Sequence, residues 1–438
     1  MFFFTTYALD EKTGTLSLSY AYQEHTFTET ILFPVPFPKI SNAKKKALDR
    51  VCFLTHIACG ISYFKAFLPK KIKIESGKLT KEEAAFFREF YLKGLGEFSY
   101  RNKVHIENLV PALFKGTSIQ KDPLDIPFTP SKVLIPVGGG KDSCLSMELF
   151  KQKTNKDVTA FSVGTAQPIM DCIKTAGVPH LCIKRTIAPE LIKLNQTGTV
   201  YNGHIPITGI ISFITWLCAI IYDYKYVVLS CERSANTGNV AWGKLFVNHQ
   251  YSKSIDFETN FRHLIAVTTP QLEYFSLLRP CSELLIASLF TRYCTNYIPV
   301  ITSCNKAFFQ DESKRWHHWC GDCDKCRFVF LLFALYLSKD VLLSWMQGRN
   351  LLDEKEQLQG YKELFGFSNH KPFECVGEID ECCWVLDKLS KRSVWKNAYV
   401  IKTLSPLLKT ISKKRFLTPY QTKHFVPKEI FMTVFKDK

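Results

Sequence analysis

One segment constrains this chain more than any other. Residues 133–147 read Val-Leu-Ile-Pro-Val-Gly-Gly-Gly-Lys-Asp-Ser-Cys-Leu-Ser-Met. A β-branched apolar run ends in three glycines, and a helix-like stretch begins after them. Such a strand, phosphate-sized turn and helix start belong to an α/β sheet, and they prescribe what the turn can bind. Glycines let backbone N–H groups approach an anion without Cβ obstruction, and a helix N-terminus adds its positive dipole end. Gly138, Gly139, Gly140, Lys141, Asp142 and Ser143 are therefore candidate nucleotide-binding residues. A plainer reading makes Asp142 or Ser143 the N-cap of the helix. The spacing fits neither the Walker pattern nor the dinucleotide fingerprint, because the glycines and Ser143 fall at the wrong intervals for both.

Around this segment the pattern is one of strands alternating with helices. Strands are predicted at Val133–Val137, Val158–Val163, His180–Thr186, Tyr226–Ser230 and Tyr297–Ser303, with helices over 143–152, 167–176, 207–222, 255–264 and 280–294. This predicts a doubly wound parallel sheet, in which ligands sit outside the carboxyl ends of the strands. Residues 1–40 alternate aromatic and polar positions as strands do, and Pro34, Pro36 and Pro38 close that section. Residues 44–68 and 80–95 read as helices, and a polar stretch from Lys121 to Lys132 reads as a linker. The expected organisation is an N-terminal α+β domain over 1–125, an α/β domain over 126–345 and a mixed C-terminal region over 346–438.

The 57 Lys+Arg against 40 Asp+Glu give a formal charge of +17, which favours an anionic partner. Lysines thicken near the C-terminus, among them Lys409, Lys413 and Lys414, as a solvated basic face would. The 16 cysteines lie largely in core-like segments. Met1-Phe2-Phe3-Phe4 is too short for a secretory leader and lacks a basic flank. A cytoplasmic protein with reduced thiols is expected, and clustered cysteines then suggest metal binding. The apolar stretch Ile205–Tyr224 carries Pro206, Thr208, Ser212 and Thr215, and reads as a buried helix with no membrane insertion.

Two further constellations carry chemistry. Ser230-Cys231-Glu232-Arg233-Ser234-Ala235-Asn236 follows a strand, and Asn248-His249-Gln250-Tyr251-Ser252-Lys253-Ser254 comes soon after. Arg233 and Lys253 suit phosphate or carboxylate, Glu232 suits magnesium or proton transfer, and Asn236, Asn248 and Ser252 suit polar recognition. His204, in Tyr201-Asn202-Gly203-His204-Ile205-Pro206, is a possible general acid or base. Phe257, Glu258 and Arg262 read as surface or capping groups. Cys320, Cys323 and Cys326 have Cys-x2-Cys-x2-Cys spacing, and Cys304 lies sixteen positions earlier. Four thiolates would make a closed, structural zinc site, with His317 or His318 as possible substitutes.

The glycine segment resembles the PP-loop, Ser-Gly-Gly-x-Asp-Ser, of ATP pyrophosphatases, with Gly138 in place of the first serine. Together with Asn202–Pro206, Ser230–Asn236, Val247–Ser254, Trp319–Phe328, Lys371–Glu378 and Gly94-Leu95-Gly96-Glu97-Phe98, the whole is similar to the UDP-N-acetylmuramoyl-L-alanyl-L-glutamate epimerase family of peptidoglycan synthesis. In that family three glycines in the loop are a shared trait. The resemblance implies a PP-loop sheet of the adenine nucleotide alpha hydrolase-like type. It implies inversion of the terminal L-glutamate of a UDP-muramoyl dipeptide, using ATP and Mg2+ through an acyl-adenylate. The acid and base are open among His204, His249, Lys253, Glu232 and Cys231, with His204 and Lys253 favoured for their place after strand ends. A polyanionic substrate of this kind needs no nucleic acid to explain the charge. Two rival readings are a tRNA-modifying PP-loop enzyme and a non-catalytic nucleotide-binding scaffold. The oligomeric state is left open.

Overall fold

In the computed structural model the strand Thr129–Pro136 (β5) sets the architecture. Its Val133 and Ile135 join one buried apolar cluster and Leu134 the other. Period-2 alternation with both faces buried requires helices on both sides. The neighbouring strands repeat it: Asp157–Val163 (β6) sends Val158 and Ala160 one way and Phe161 the other. The structure describes all residues except 119–122, 310–311, 317, 369–371, 410–414, 421 and 437–438. Lys121, His317, Lys371, Lys413 and Lys414 lie outside the described residues.

The remaining strands are Phe2–Asp10 (β1), Thr15–Tyr22 (β2), His25–Leu32 (β3), Ile72–Ile74 (β4), His180–Thr186 (β7), Tyr224–Leu229 (β8), Val240–Trp242 (β9), Leu245–Val247 (β10) and Glu273–Ser276 (β11). Nine of them form one sheet in the order β11-β8-β5-β6-β7-β3-β2-β1-β4. From β11 to β7 every pair is parallel. The chain lays β6 and β7 on one side of β5, then returns to lay β8 and β11 on the other. The loops after β5 and β8 therefore diverge at a topological switch point, where such sheets bind ligands. The N-terminal meander β1–β3 continues the same sheet, because β3 pairs antiparallel with β7.

Three expectations are corrected. Residues 297–303 form no strand; the fifth parallel strand is β11. Pro299 offers no N–H to a ladder. That segment instead runs beside the glycine loop, where Thr302 N donates to Gly139 O at 3.0 Å. The helix expected over 44–68 breaks into Asn42–Cys59 and Ile61–Phe67. At the break a Cβ on Gly60 would stand 2.3 Å from the Phe4 ring, so only glycine lets the sheet come so close. Beyond 345 the regular structure of the described residues is helical rather than mixed, including Ile379–Ser390 and Tyr399–Leu404. These helices pack into the same cluster as Asp324–Phe333.

Helix Ile207–Tyr222 is buried against Asn42–Cys59 and the sheet. Among the described residues no helix is long and apolar enough to cross a membrane.

Candidate functional site

The glycine loop follows β5 and enters helix Lys141–Lys153. Neither Asp142 nor Ser143 caps that helix. Gly140 is the N-cap, and it offers no side chain to the first-turn amides. Ser143 Oγ turns back to accept from Gly138 N at 3.3 Å. Gly139 has φ +77°, a left-handed conformation that favours glycine, and Pro168 approaches its missing Cβ position at 3.2 Å. Nothing lies within 4 Å of the Cβ position of Gly138, so the loop is open on that side. Lys141 is buried and paired to Asp142 at 2.6 Å and to Glu283 at 2.7 Å. Burial pushes the Asp142 and Glu283 carboxyls up; Lys141 pulls both down, and the nearby Glu232 raises them again. Three carboxylates thus crowd the entrance of the helix.

Glu232 and Lys253 stand on the loop after β8, and one buried cation shapes both. Arg279 is only 1% exposed. It pairs with Glu258 at 3.0 Å and donates to the carbonyls of Glu232 at 2.8 Å and Lys253 at 2.5 Å. Glu258 and Phe257 are thus core residues, not the surface groups expected, while Arg262 is partly buried and donates to Tyr274 O. The asparagines tie the loop together. Asn236 Oδ1 accepts from Ile255 N at 2.7 Å, Asn248 bonds Ala235 O and Gln250 N, and Asn239 receives His249 N. Ser252 is buried. Arg233 turns to the C-terminal region, donating to Glu378 at 2.5 Å and lying over the Tyr420 ring.

A second cluster joins residues far apart in sequence. His249 Nδ1 lies 2.5 Å and His204 Nδ1 3.2 Å from the same Glu97 Oε2, while Arg101 holds the other oxygen at 2.5 Å. Lys253 Nζ donates to Cys375 Sγ at 3.2 Å, and His249 lies near enough to that sulfur to favour its ionised form. Burial alone would raise Glu97, but the hydrogen bond and charge of His249 hold it at about 2. Burial would lower His249, yet Cys375 and Glu97 raise it to about 9. Burial takes His204 down to about 4. Burial works against ionisation of Cys375, and the charges of Lys253 and Lys325 with the nearby His249 outweigh it, giving about 6. The charge of Lys253 also reaches Glu232 and Asp142, so this cluster and the glycine loop are continuous.

Glu97, Arg279, Glu283 and Cys375 were not among the residues expected at the site. Glu97 and Cys375 lie in two of the motifs that carry the family resemblance, which was their only signal. Segment 372–377 reaches the site because Phe373 stacks on Tyr100 at 5.2 Å and Asn239 donates to Pro372 O at 3.0 Å.

The four predicted cysteines do meet. Sγ separations are 3.9 Å for Cys304 to Cys323, 3.8 Å for Cys320 to Cys326 and 3.5 Å for Cys323 to Cys326. A tetrahedron of thiolates around zinc has edges of about 3.8 Å. Gly321 N and Asp322 N point at Cys326 and Cys320 sulfurs, each at 3.4 Å. His318 is exposed.

Comparison with known proteins adds the family. Residues 1–277 match the MurL N-terminal domain and residues 300–416 the MurL C-terminal domain. A protein of Xanthomonas oryzae pv. oryzae is 39% identical over 409 residues, covering 92% of this chain and 88% of its own length. One from Micromonospora is 38% identical over 413 residues, covering 92% and 90%. Another, from Salinispora tropica, is 38% identical over 413 residues, covering 92% and 88%. All three are named UDP-N-acetyl-alpha-D-muramoyl-L-alanyl-L-glutamate epimerase. No solved structure matches the chain.

Proposed function

The chain belongs to the MurL family, and from that premise we propose that it inverts the terminal L-glutamate of UDP-N-acetylmuramoyl-L-alanyl-L-glutamate, consuming ATP. The difficulty of that reaction is electrostatic. An α-proton beside a free carboxylate resists removal, because the carbanion would add a second negative charge next to the first. Transfer of AMP to the carboxylate cancels the first charge and makes the carbonyl an electron sink. A modest base can then take the proton, and protonation from the opposite face gives the D centre. Hydrolysis of the acyl-adenylate releases product, and AMP and pyrophosphate leave.

In this scheme the amides of Gly138–Gly140 and the uncapped first turn hold the departing pyrophosphate, as fixed donors aimed at developing charge. Asp142, Glu232 and Glu283 are hard oxygen donors that would hold Mg2+, and a dication would offset the burial and the Glu232 charge that raise Asp142 and Glu283. The four cysteines fit a structural Zn2+. The PP-loop relationship rests on the glycine segment and its place at the switch point of the sheet. A polyanionic substrate accounts for the basic balance of the chain without nucleic acid. The cytoplasm, which keeps thiols reduced, suits both the tetrad and Cys375.

The observation that carries the reading is that Lys253 donates to Cys375 Sγ beside the His249–Glu97 pair and is also near enough to Asp142 for its charge to lower that carboxyl, so that the glycine loop and this cluster are neighbours. The test supplies the dipeptide nucleotide with ATP and Mg2+, then follows AMP, pyrophosphate and glutamate chirality. Product formation at full rate without triphosphate overturns the adenylate scheme.

A further inference from the structure

We infer that Cys375 is the base that takes the α-proton of the substrate's terminal glutamate, with Lys253 and His249 holding its sulfur ready. This rests on the epimerase reading above and assigns a residue within the same site.

Cationic side chains from separate parts of the fold converge on this sulfur. Lys253 comes from the loop after β8 and lies at 3.2 Å. His249 comes from earlier in that loop, and Lys325 from the first turn of helix Asp324–Phe333. Negative neighbours are present too: Glu374 beside it in the chain, Glu232 near Lys253, and Glu97 beyond His249. The balance favours the thiolate, and the sulfur falls to about 6. The contrast with other thiols is sharp. Burial pushes Cys52, Cys281 and Cys294 up, as expected of inert core cysteines, and Cys304, Cys320, Cys323 and Cys326 face one another. Cys375 is only half-buried. The favoured alternative base, Lys253, is held protonated beside the thiolate and so has no lone pair to offer. Its role is to hold the sulfur.

The proton count closes within the cluster. The α C–H bond breaks, its electron pair moves into the activated carboxyl group, and the proton forms the Cys375 thiol. The carbanion then turns its other face to the sulfur, the Cys375 thiol returns the proton there, and the thiolate is restored. Glu97 fixes the His249 ring beside that sulfur.

The test compares Cys375→Ala and Cys375→Ser with the wild-type chain in two assays run with dipeptide nucleotide, ATP and Mg2+. The first is pyrophosphate exchange into ATP, which reads carboxylate activation. The second is α-deuterium incorporation and D-glutamate formation in deuterated water. Expected for Cys375→Ala is activation within a few-fold of wild type, with exchange and epimerisation reduced on the order of 10³-fold. The wild-type kcat/KM should carry an acid limb near pH 6, which Cys375→Ser displaces. Epimerisation by Cys375→Ala within tenfold of wild type overturns the inference. Joint loss of activation and exchange in a folded variant also overturns it, since the residue would then serve the nucleotide. Should the variants not fold, iodoacetamide labelling of wild type decides. Labelling of Cys375 at pH 7 that the dipeptide nucleotide blocks supports the assignment, and a Cys375 that stays unlabelled ends it. Wild type that epimerises without ATP would sink the adenylate reading instead, leaving the Cys375 result intact.

Discussion

Arg279 and Glu258 form an ion pair in the core, 3.0 Å apart, with side chains only 1% and 3% exposed. The same guanidinium carries the backbone on which Glu232 and Lys253 stand. Removing one partner leaves the other charge buried and alone, which costs about 3–5 kcal/mol. Arg279→Met should therefore lower urea midpoint stability by about that amount and remove epimerase activity with it. A variant with full activity and unchanged stability would show that the loop needs no such support.

Glu97 and His249 impose opposite pH limits on one contact. His249 is raised from 6.5 to about 9, so its stabilisation is complete below about 6.5 and lost as pH rises through 9. Glu97 is lowered from 4.5 to about 2, so its share is complete above about 4.5 and lost as pH falls through 2. The contact is therefore strongest between roughly pH 4.5 and 6.5. In Glu97→Gln the His249 ring should titrate lower than in wild type, measured by NMR of the imidazole. An unmoved titration would mean that Cys375 alone sets it.

Within the glycine loop, neighbours should differ. Gly138→Ser places its Cβ in open space and should keep activity and melting temperature. Gly139→Ala must adopt φ +77° against Pro168, at a cost of about 1–2 kcal/mol, and should weaken ATP binding in a calorimetric titration. Equal behaviour of the two would refute this account of the loop.

The thiol tetrad makes a compositional prediction. Purified protein should carry one zinc per chain by elemental analysis, and Cys326→Ser should lose it together with thermal stability. Helix Asp324–Phe333 begins at this cluster and carries Lys325. Metal loss should therefore also slow alkylation of Cys375, as its thiolate loses a stabilising charge.

What could be seen in the sequence was what is local. The glycine turn, the alternating strand before it and the cysteine spacing each occupy a few consecutive positions, and their physics is complete within them. Tyr297–Ser303 reads as a strand because most of its residues are β-branched, yet Pro299 denies it a ladder. β11, only Glu273–Ser276, shows too little alternation to read. Cys375 and Glu97 could not be joined to Lys253 and His249 from sequence alone, because 278 positions separate the first two (375 − 97) and only the folded sheet brings them together. Arg279 gave a weak sign, a single cation in the apolar run Leu277-Leu278-Arg279-Pro280.

The seam between β3 and β7 bears on how the newborn chain matures. Glu29 is fully buried and paired to Arg185, which follows it by 156 residues. At about 5–20 residues per second, the ribosome delivers that partner roughly 8–30 s later. During that interval β3 offers an unpaired edge and a carboxylate with no counter-charge. The meander thus stays open to mispairing until that partner emerges, and a stall in synthesis before Arg185 would prolong the exposure.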